Sequence, residues 1–271
     1  MPLFKFISSL FISFFCLFAC ININAQTMHS FNVGIGTADI MDTYLSPYAY
    51  NGTNYHLLWN TQRIVKAFGF ENLNFQTILD VDASTLDNPA KNINEYSGGV
   101  RFALGWTKAI KTWDIKRSKL SVEVGPMTSI YAGGIYNERN GNNPAQAKAD
   151  LMIDITAKAK WQFSLFKKNM QLDYQIIMPF AGFAFSPNYG QSYYEVFFKD
   201  NYDHNVVFAN FVNMPSLRHL INLDIPLSRQ SLTALRIGYQ GYFMQSKFNK
   251  LRYHSYTNSF TIGFTKYFKR L

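Results

Sequence analysis

The residues best suited to chemistry lie in one segment, positions 186–205. Ser192, Glu195, Asp203 and His204 together provide a hydroxyl, two carboxylates and an imidazole. A hydrolase needs a nucleophile, a base and an orienting acid within hydrogen-bonding reach. These four are the candidate catalytic residues, with His204 at the centre. Their spacing matches no catalytic signature, so a loop packed by hydrogen bonds is the preferred interpretation and a hydrolase the alternative.

No other set of residues predicts a metal or a cofactor. The remaining histidines are scattered without the spacing of metal ligands; they are His29, His56, His219 and His254. The alternation of apolar and polar residues places His219 on an apolar face near the start of a strand. A position at the membrane interface is the simplest interpretation. The sequence therefore predicts neither a metal site nor a cofactor.

The N-terminus has the pattern of a targeting segment. Lys5 precedes a short apolar stretch over 6–19, and small residues follow up to Ala25. This stretch is too short to span a membrane as a helix. We predict a signal peptide over 1–25, cleaved after Ala25, and a single mature domain over 26–271.

Both cysteines, Cys16 and Cys20, lie inside this segment. Cleavage after Ala25 leaves a mature chain without cysteine, which excludes disulfides and thiolate chemistry together. The alternative is lipidation at Cys20, because Leu17-Phe18-Ala19-Cys20 loosely resembles a bacterial lipobox.

The composition favours a membrane β-barrel over a helical membrane protein. Only 16% of the residues are charged, against about 25% in soluble domains. The mean hydropathy is −0.11, whereas each transmembrane helix needs about 20 successive apolar residues. A barrel spans the membrane with only alternate residues apolar, so it need not be more hydrophobic than a soluble protein.

Alternation with a period of two recurs along the mature chain and predicts strands. It is clearest over 150–163, where every second residue from Leu151 to Phe163 is apolar and the intervening residues are mostly polar. Successive side chains of a strand point to opposite faces. We predict about ten strands, near 31–41, 55–65, 73–82, 96–109, 118–134, 148–164, 170–184, 216–227, 231–245 and 251–268. The segment 185–215 is long enough for a further hairpin, so the range is eight to twelve.

The connections alternate in length. Short joins are expected near 66–72, 110–117, 166–169 and 228–230, and longer ones near 42–54, 83–95, 135–147 and 185–215. Short periplasmic turns and long outer loops are typical of outer-membrane barrels. The predicted fold class is therefore all-β, a closed antiparallel transmembrane β-barrel in the bacterial outer membrane.

Charged residues on the polar faces point into the predicted barrel. They are Arg101, Glu123, Asp150, Asp154, Lys158, Lys160, Asp173, Arg218, Asp224 and Arg236. A barrel of about ten strands has little free bore, because its width grows with strand number. A salt-bridged interior is the preferred interpretation, and narrow passage of a small solute the alternative.

Four unusual stretches fall in the long loops, and on them the chain resembles an uncharacterised domain family of Bacteroidetes. They are Asp42-Thr43-Tyr44-Leu45-Ser46-Pro47, Arg139-Asn140-Gly141-Asn142-Asn143-Pro144-Ala145-Gln146-Ala147, Ser186-Pro187-Asn188-Tyr189-Gly190-Gln191-Ser192-Tyr193-Tyr194-Glu195 and Asn201-Tyr202-Asp203-His204-Asn205. The resemblance implies an exported outer-membrane protein and carries no established activity. Because function concentrates in loops, the candidate binding residues are Tyr44, Asn143, Tyr189, Tyr193 and Tyr194.

The charge of the chain narrows the expected partners. The net charge is +9, which is compatible with nucleic acid, but export argues against it. Outer-membrane lipid or lipopolysaccharide, or other envelope proteins, are the expected partners. The function expected is a structural or binding role, with a barrel hydrolase at the outer rim and a narrow channel as alternatives.

Overall fold

The computed structural model describes residues 27–141, 143–228 and 231–268. The predicted signal peptide, its cleavage after Ala25 and the alternative lipidation at Cys20 lie outside the described residues. Among the described residues, no helix is both long and apolar enough to cross a membrane.

The described chain forms eleven strands and one short helix. The first seven strands are β1 (Thr27–Asp42), β2 (Tyr50–Ala67), β3 (Phe70–Asp87), β4 (Asn94–Ile115), β5 (Ser118–Asn137), β6 (Ala145–Leu165) and β7 (Lys168–Phe185). Helix α1 (Tyr193–Phe197) and the short strand β8 (Val206–Asn210) follow, and then β9 (Ser216–Pro226), β10 (Thr233–Phe248) and β11 (Leu251–Phe268).

Ten of these strands close into an antiparallel barrel. Each pairs with its neighbour in the chain, β7 pairs with both β6 and β9, and β1 closes the barrel against β11. The prediction of ten strands is confirmed, and each predicted strand is present. The segment 185–215 does not add a hairpin to the barrel. Its short strand β8 pairs only with the C-terminal part of β7, from Ala181 to Phe185, which follows the residues of β7 that pair with β9.

The register staggers the strands around the barrel. A line of directly paired residues that starts at Met28 on β1 passes through β2 and each following barrel strand to β11, if the β7–β9 pairing is extended by two residues. It returns to β1 at Ile40, twelve residues further along that strand. Such a stagger accompanies strands tilted by roughly 35–45° to the barrel axis. A barrel of this size has an interior narrow enough for side chains to fill.

The two faces of the sheet differ in polarity. On β1, Phe31, Val33 and Ile35 point outward and are exposed, whereas Ser30 and Asn32 point inward and are buried. The other strands repeat the pattern: exposed outward side chains are mainly aliphatic and aromatic, and buried inward ones mainly polar or charged. This is the reverse of a soluble protein and is the arrangement of a transmembrane barrel.

The two ends of the barrel also differ. Short turns join β2 to β3, β4 to β5 and β6 to β7, and both ends of the described chain lie with them. We call this the periplasmic end. The opposite, outer end carries the longer loops 43–49, 88–93, 138–144 and 186–205, and the two-residue turn 249–250. The predicted alternation of short and long connections is confirmed.

Candidate functional site

The loop 186–205 folds into a compact structure at the outer end, held by side-chain amides. Asn205 Nδ2 donates to Gln191 Oε1 at 2.7 Å, and Gln191 Nε2 donates to the carbonyl of Asn201 at 2.9 Å. Asn249, in the β10–β11 turn, donates from Nδ2 to the carbonyls of Ser186 and His204 at 3.0 and 2.9 Å. The loop is thereby tied to itself and to the adjacent hairpin.

Two of the candidate catalytic residues, Ser192 and Glu195, form the N-terminal cap of α1. The backbone N–H of Glu195 donates to Ser192 Oγ at 3.2 Å, and the backbone N–H of Ser192 donates to Glu195 Oε2 at 2.8 Å. This reciprocal pair is a capping box, which satisfies free N–H groups at a helix start. The Ser192 N–H, and then its hydroxyl, hold the pKa of Glu195 below its usual range. Both residues therefore have a local structural role.

The other two candidates, Asp203 and His204, form a separate pair. His204 Nδ1 lies 2.7 Å from Asp203 Oδ1, and the side chains are 77% and 76% exposed. Among the described residues, no hydrogen bond or ion pair joins this pair to Ser192 or Glu195. The structure thus arranges the four residues as two separate pairs. The Ser192 hydroxyl donates to Glu195 Oε2 at 3.1 Å within the cap, and no hydrogen bond joins it to His204 among the described residues.

Tyr44 and Tyr193, two of the candidate binding residues, join separate outer loops. Tyr44 Oη donates to the carbonyl of Gln191 at 2.9 Å, and its ring meets that of Tyr193 edge-on at 5.9 Å. Tyr193 Oη donates to Gln146 Oε1 at 2.8 Å and accepts from the backbone N–H of Ala147 at 2.6 Å. Burial is the main factor that raises the pKa of both phenols. They therefore remain neutral donors and serve to assemble the loops.

The remaining candidate binding residues are more accessible. Tyr189 and Tyr194 are 72% and 60% exposed. Tyr194 stacks on Phe198 with ring centroids 5.3 Å apart. Asn143 is partly exposed in the loop before β6. These three side chains present polar and aromatic surface to the outside.

Inside the barrel, ion pairs occupy the outer half. Asp80 accepts from Arg218 Nη2 at 2.8 Å and from Gln240 Nε2 at 2.7 Å, and lies 3.0 Å from His56 Nδ1. Arg101 meets Asp150 through two contacts of 3.1 and 3.2 Å. Arg218 and Gln240 lie on β9 and β10, across the barrel from Asp80 on β3, so their contacts with Asp80 cross the lumen.

A second set of ion pairs occupies the periplasmic half. Asp224 accepts from Arg236 Nε and Nη2, both at 2.6 Å. Glu123 accepts from Asn74 Nδ2 at 2.9 Å and lies 3.3 Å from Lys160 Nζ. The interior positions predicted for the charged residues are confirmed. Lys158 differs from the others: its Nζ is buried and has no hydrogen-bond partner among the described residues.

An apolar layer separates the two charged halves. Six buried side chains from six strands form one cluster in the lumen: Leu58, Ile78, Ala103, Met127, Ile177 and Leu220. Each is at most 4% exposed. Between Gln76 and Asp80 on β3, for example, the inward residue is Ile78. Because this layer spans the lumen from β2 to β9, the barrel is filled at its middle.

A large cavity lies at the periplasmic mouth and is rich in positive charge. It encloses about 850 Å³, and its cationic wall residues are Arg63, Lys116, Arg117, Lys119 and Lys160. Among the described residues, two acidic side chains line it, Asp114 and Asp224, and Asp224 already binds Arg236. We call this cavity the basic vestibule. The sequence alone does not show that these basic residues surround one cavity, because their proximity depends on the register of β2, β4, β5 and β6.

The histidines do not assemble a metal site. No group of three or more potential ligands is close enough to hold a metal ion within the described residues. His219 lies on the outward face as predicted, with its ring 5.6 Å from that of Tyr239 and 5.7 Å from that of Phe243.

The fold and the filled lumen define the class of this protein: a closed, ten-stranded transmembrane β-barrel. The chain belongs to the family described as protein of unknown function (DUF3316), whose profile matches residues 3–271. No curated protein matches the sequence closely enough to count as a relative.

Solved structures with a similar course of the chain are bacterial outer-membrane proteins. The outer membrane protease OmpT of Escherichia coli has 7% identity and a TM-score of 0.47, covering 90% of this chain and 96% of its own. The transport unit of the autotransporter AIDA-I of Escherichia coli has 7% identity and a TM-score of 0.45, covering 93% and 94%. A major outer membrane protein of Thermus thermophilus has 10% identity and a TM-score of 0.32, covering 91% and 100%.

Proposed function

We propose that this protein is an outer-membrane β-barrel with a structural or binding role, which neither catalyses a reaction nor conducts a solute. The observation that carries the proposal is the filled lumen. An apolar layer crosses the middle of the barrel, and buried ion pairs occupy both sides of it. Binding is left to the two ends and to the outer wall.

The outward face supports placement in the outer membrane. Only closed barrels and helices can span lipid, because lipid offers the backbone no hydrogen-bond partners. The asymmetry between short turns and long loops is that of an outer-membrane barrel. We infer export through a signal peptide cleaved after Ala25, in a bacterium of the Bacteroidetes. Intact mass of protein from isolated outer membranes tests this; a mature chain starting at Gln26 is expected, and a lipid-modified Cys20 or recovery from the soluble periplasm would overturn it.

The absence of a channel is tested by conductance. Purified protein in a planar bilayer is expected to give no steady current, because the apolar layer has no space for hydrated ions. Leu58→Ala with Ile78→Ala removes part of that layer and is the matched positive variant. Stable unit conductance from the unmodified protein would contradict the proposal and favour a narrow channel.

The hydrolase alternative is tested with His204. The unmodified protein is expected to release no fatty acid from phospholipid or lipid A vesicles and to cleave no peptide. Hydrolysis that disappears in His204→Ala but persists in His29→Ala would establish an enzyme at the outer rim. His29 is a suitable control because it lies at the other end of the barrel, against the ring of Phe268.

The basic vestibule favours a second, more specific role, as a subunit of an envelope complex. We propose that it receives an acidic segment of a periplasmic protein, because four of its cations have no ion pair among the described residues. These are Arg63 on β2 and Lys116, Arg117 and Lys119 on the β4–β5 hairpin. Charge complementarity of this kind mainly sets the rate and the specificity of association.

A labelled hexaglutamate peptide serves as the probe for the vestibule. Fluorescence anisotropy with detergent-solubilised protein is expected to show binding that weakens with added salt. Lys116→Glu with Lys119→Glu is expected to lower the affinity about tenfold or more. Equal binding by this variant, or no binding by the unmodified protein, would overturn the role of the vestibule.

A further inference from the structure

A groove on the outer wall of the barrel lies close to the outer end. It encloses about 530 Å³ between the bend 211–215, which separates β8 from β9, and the β10–β11 hairpin. Lys247, Arg252 and His254 provide its cationic and imidazole groups, and none of the described residues that line it is acidic. We call it the hairpin groove. It was not visible in the sequence, because the bend and the hairpin turn at 249–250 lie more than 30 residues apart along the chain.

The register places the hairpin groove at the level where lipid headgroups begin. Along β11 the outward side chains change from Ile262 and Phe260, which are 53% and 73% exposed, through Asn258 to Tyr256 and then to His254 and Arg252. Along β10 they change in step, from Phe243 to Gln245 and Lys247. An apolar band followed by aromatic residues marks the membrane interface in β-barrels. The groove begins just beyond those aromatic residues.

Two like charges face each other in the hairpin groove. Lys247 and Arg252 are directly paired across β10 and β11. Among the described residues, neither cationic side chain has an ion pair or a hydrogen bond. Like charges directly opposite each other destabilise a sheet. An anion bound between Lys247 and Arg252 would remove this repulsion. Without an anion, no contact among the described residues compensates for it.

The wall beside the two cations is fixed. The ring of His254 stacks on Tyr256 with centroids 4.6 Å apart and planes 7° apart, and its Nε2 lies 2.8 Å from Asp39 Oδ1. Gln245 donates to the hydroxyl of Tyr256. Asp39 is already engaged with His254, so it does not neutralise Lys247 or Arg252. The groove therefore has a rigid polar wall and two cations without partners.

We propose that the hairpin groove binds a phosphate group of lipopolysaccharide in the outer leaflet. Lys247 and Arg252 would contact the phosphate, and the acyl chains would lie along the apolar surface of Phe243 and Phe260. The proposal rests on the outer-membrane placement proposed above, which makes lipopolysaccharide the phosphorylated lipid at this end of the barrel. It adds a lipid partner and its contact residues to a barrel whose lumen is filled.

Native mass spectrometry of the detergent-solubilised full mature chain tests the groove directly. Diphosphoryl lipid A and its enzymatically dephosphorylated form are the two probes. The unmodified protein is expected to retain phosphorylated lipid A at least about tenfold more tightly than the dephosphorylated lipid. Lys247→Gln with Arg252→Gln is expected to remove this preference. Lys108→Gln with Lys111→Gln, an equal loss of exposed charge at the other end and outside the basic vestibule, is expected to preserve it.

Three outcomes would overturn the proposal. One is equal retention of the two lipids by the unmodified protein, and another is an unchanged preference in the Lys247/Arg252 variant. The third is displacement of lipid A by inorganic phosphate at low concentration, which would indicate a site for free phosphate. Folding of each variant is checked by gel mobility before and after heating. Membrane fractionation tests the outer-membrane placement separately, so failure of either proposal can be recognised.

Discussion

At the scale of single residues, the ion pairs of the lumen dominate the chemistry of this protein. Arg236 is 1% exposed and donates twice to Asp224 at 2.6 Å, with a further contact from Nη1 to Ser30 Oγ at 2.9 Å. Thr265 and Tyr267 also donate to Asp224, at 3.0 and 2.7 Å. A carboxylate with this many donors is satisfied only while all of its partners are present.

We predict that Arg236→Met destabilises the barrel severely. Removing one member of a buried pair leaves an uncompensated charge, which costs about 3–5 kcal/mol. The free energy of unfolding, measured by urea titration of tryptophan fluorescence in lipid vesicles, should fall by that amount. Adding Asp224→Asn should restore part of the loss, because the unpaired charge is then absent.

Lys66 provides the matched control for that prediction. Its Nζ lies 2.7 Å from Glu71 Oε1, but both side chains are about two-thirds exposed. Exposed pairs contribute roughly 0–1 kcal/mol, so Lys66→Met should leave the unfolding curve nearly unchanged. A similar loss in both variants would mean that burial does not set the strength of these pairs.

At the scale of elements, the capping box of α1 predicts a pH response of the loop 186–205. The pKa of Glu195 is lowered in the folded loop by the backbone N–H and the hydroxyl of Ser192. A carboxylate with a depressed pKa stabilises the fold above its unfolded pKa, and that contribution is lost as pH falls through the folded value. The pKa of a glutamate in the unfolded chain is about 4.3. The loop should therefore be stably folded at neutral pH and should loosen only below that pKa.

Limited proteolysis at the loop measures this response. Cleavage within 186–205 should stay slow from neutral pH down to about pH 5 and rise below about pH 4.3, where an acid-active protease is used. Ser192→Ala should show the faster cleavage already at neutral pH, because it lacks the cap hydroxyl. Cleavage that is independent of both pH and Ser192 would show that the amide contacts of Asn205 and Gln191 hold the loop alone.

The strands could be predicted from the sequence because an outward residue must be compatible with lipid and an inward one need not be. Alternation over β6, from Leu151 to Phe163, records that rule directly. The inward apolar residues could not be assigned in this way. Ile78 and Leu58 point into the lumen, although their types are those of the lipid-facing wall. Their side chains share a face with polar neighbours such as Gln76 and Asp80, but their assembly into one layer depends on the register between strands, which a single sequence does not encode in its periodicity.

The loop residues show a second limit of the sequence. Ser192, Glu195, Asp203 and His204 are the right types for a hydrolase, but type and proximity in the chain do not fix distance. Ser192 caps a helix of five residues, and His204 has a positive φ of 55° at the end of its loop. Lys247 and Arg252 carried no motif at all, since their opposition arises only from the two-residue turn between β10 and β11.

At the scale of the whole molecule, positive charge is concentrated at the periplasmic end. The cationic residues in or near its short turns are Lys66, Lys108, Lys111, Lys116, Arg117, Lys119, Lys167 and Lys168. The acidic residues there, Glu71 and Asp114, are fewer. Much of the positive charge of the described residues therefore lies at the end that carries the basic vestibule, whereas the hairpin groove at the outer end has two unpaired cations among the described residues, Lys247 and Arg252.

Because β1 pairs with β11, the two ends of the described chain lie side by side. The finished barrel therefore does not require that the chain begin at β1 and end at β11. Thr27 and Phe268 are directly paired, and paired backbones lie about 5 Å apart. A short linker could therefore join the two ends, and the chain could be reopened in the turn at Phe166 and Lys167, also at the periplasmic end. We predict that this circular permutant, exported with a signal peptide placed before Lys168, folds into the same barrel with heat-modifiable gel mobility. A permutant that reaches the membrane but never acquires that mobility would show that the native starting strand is needed to template assembly.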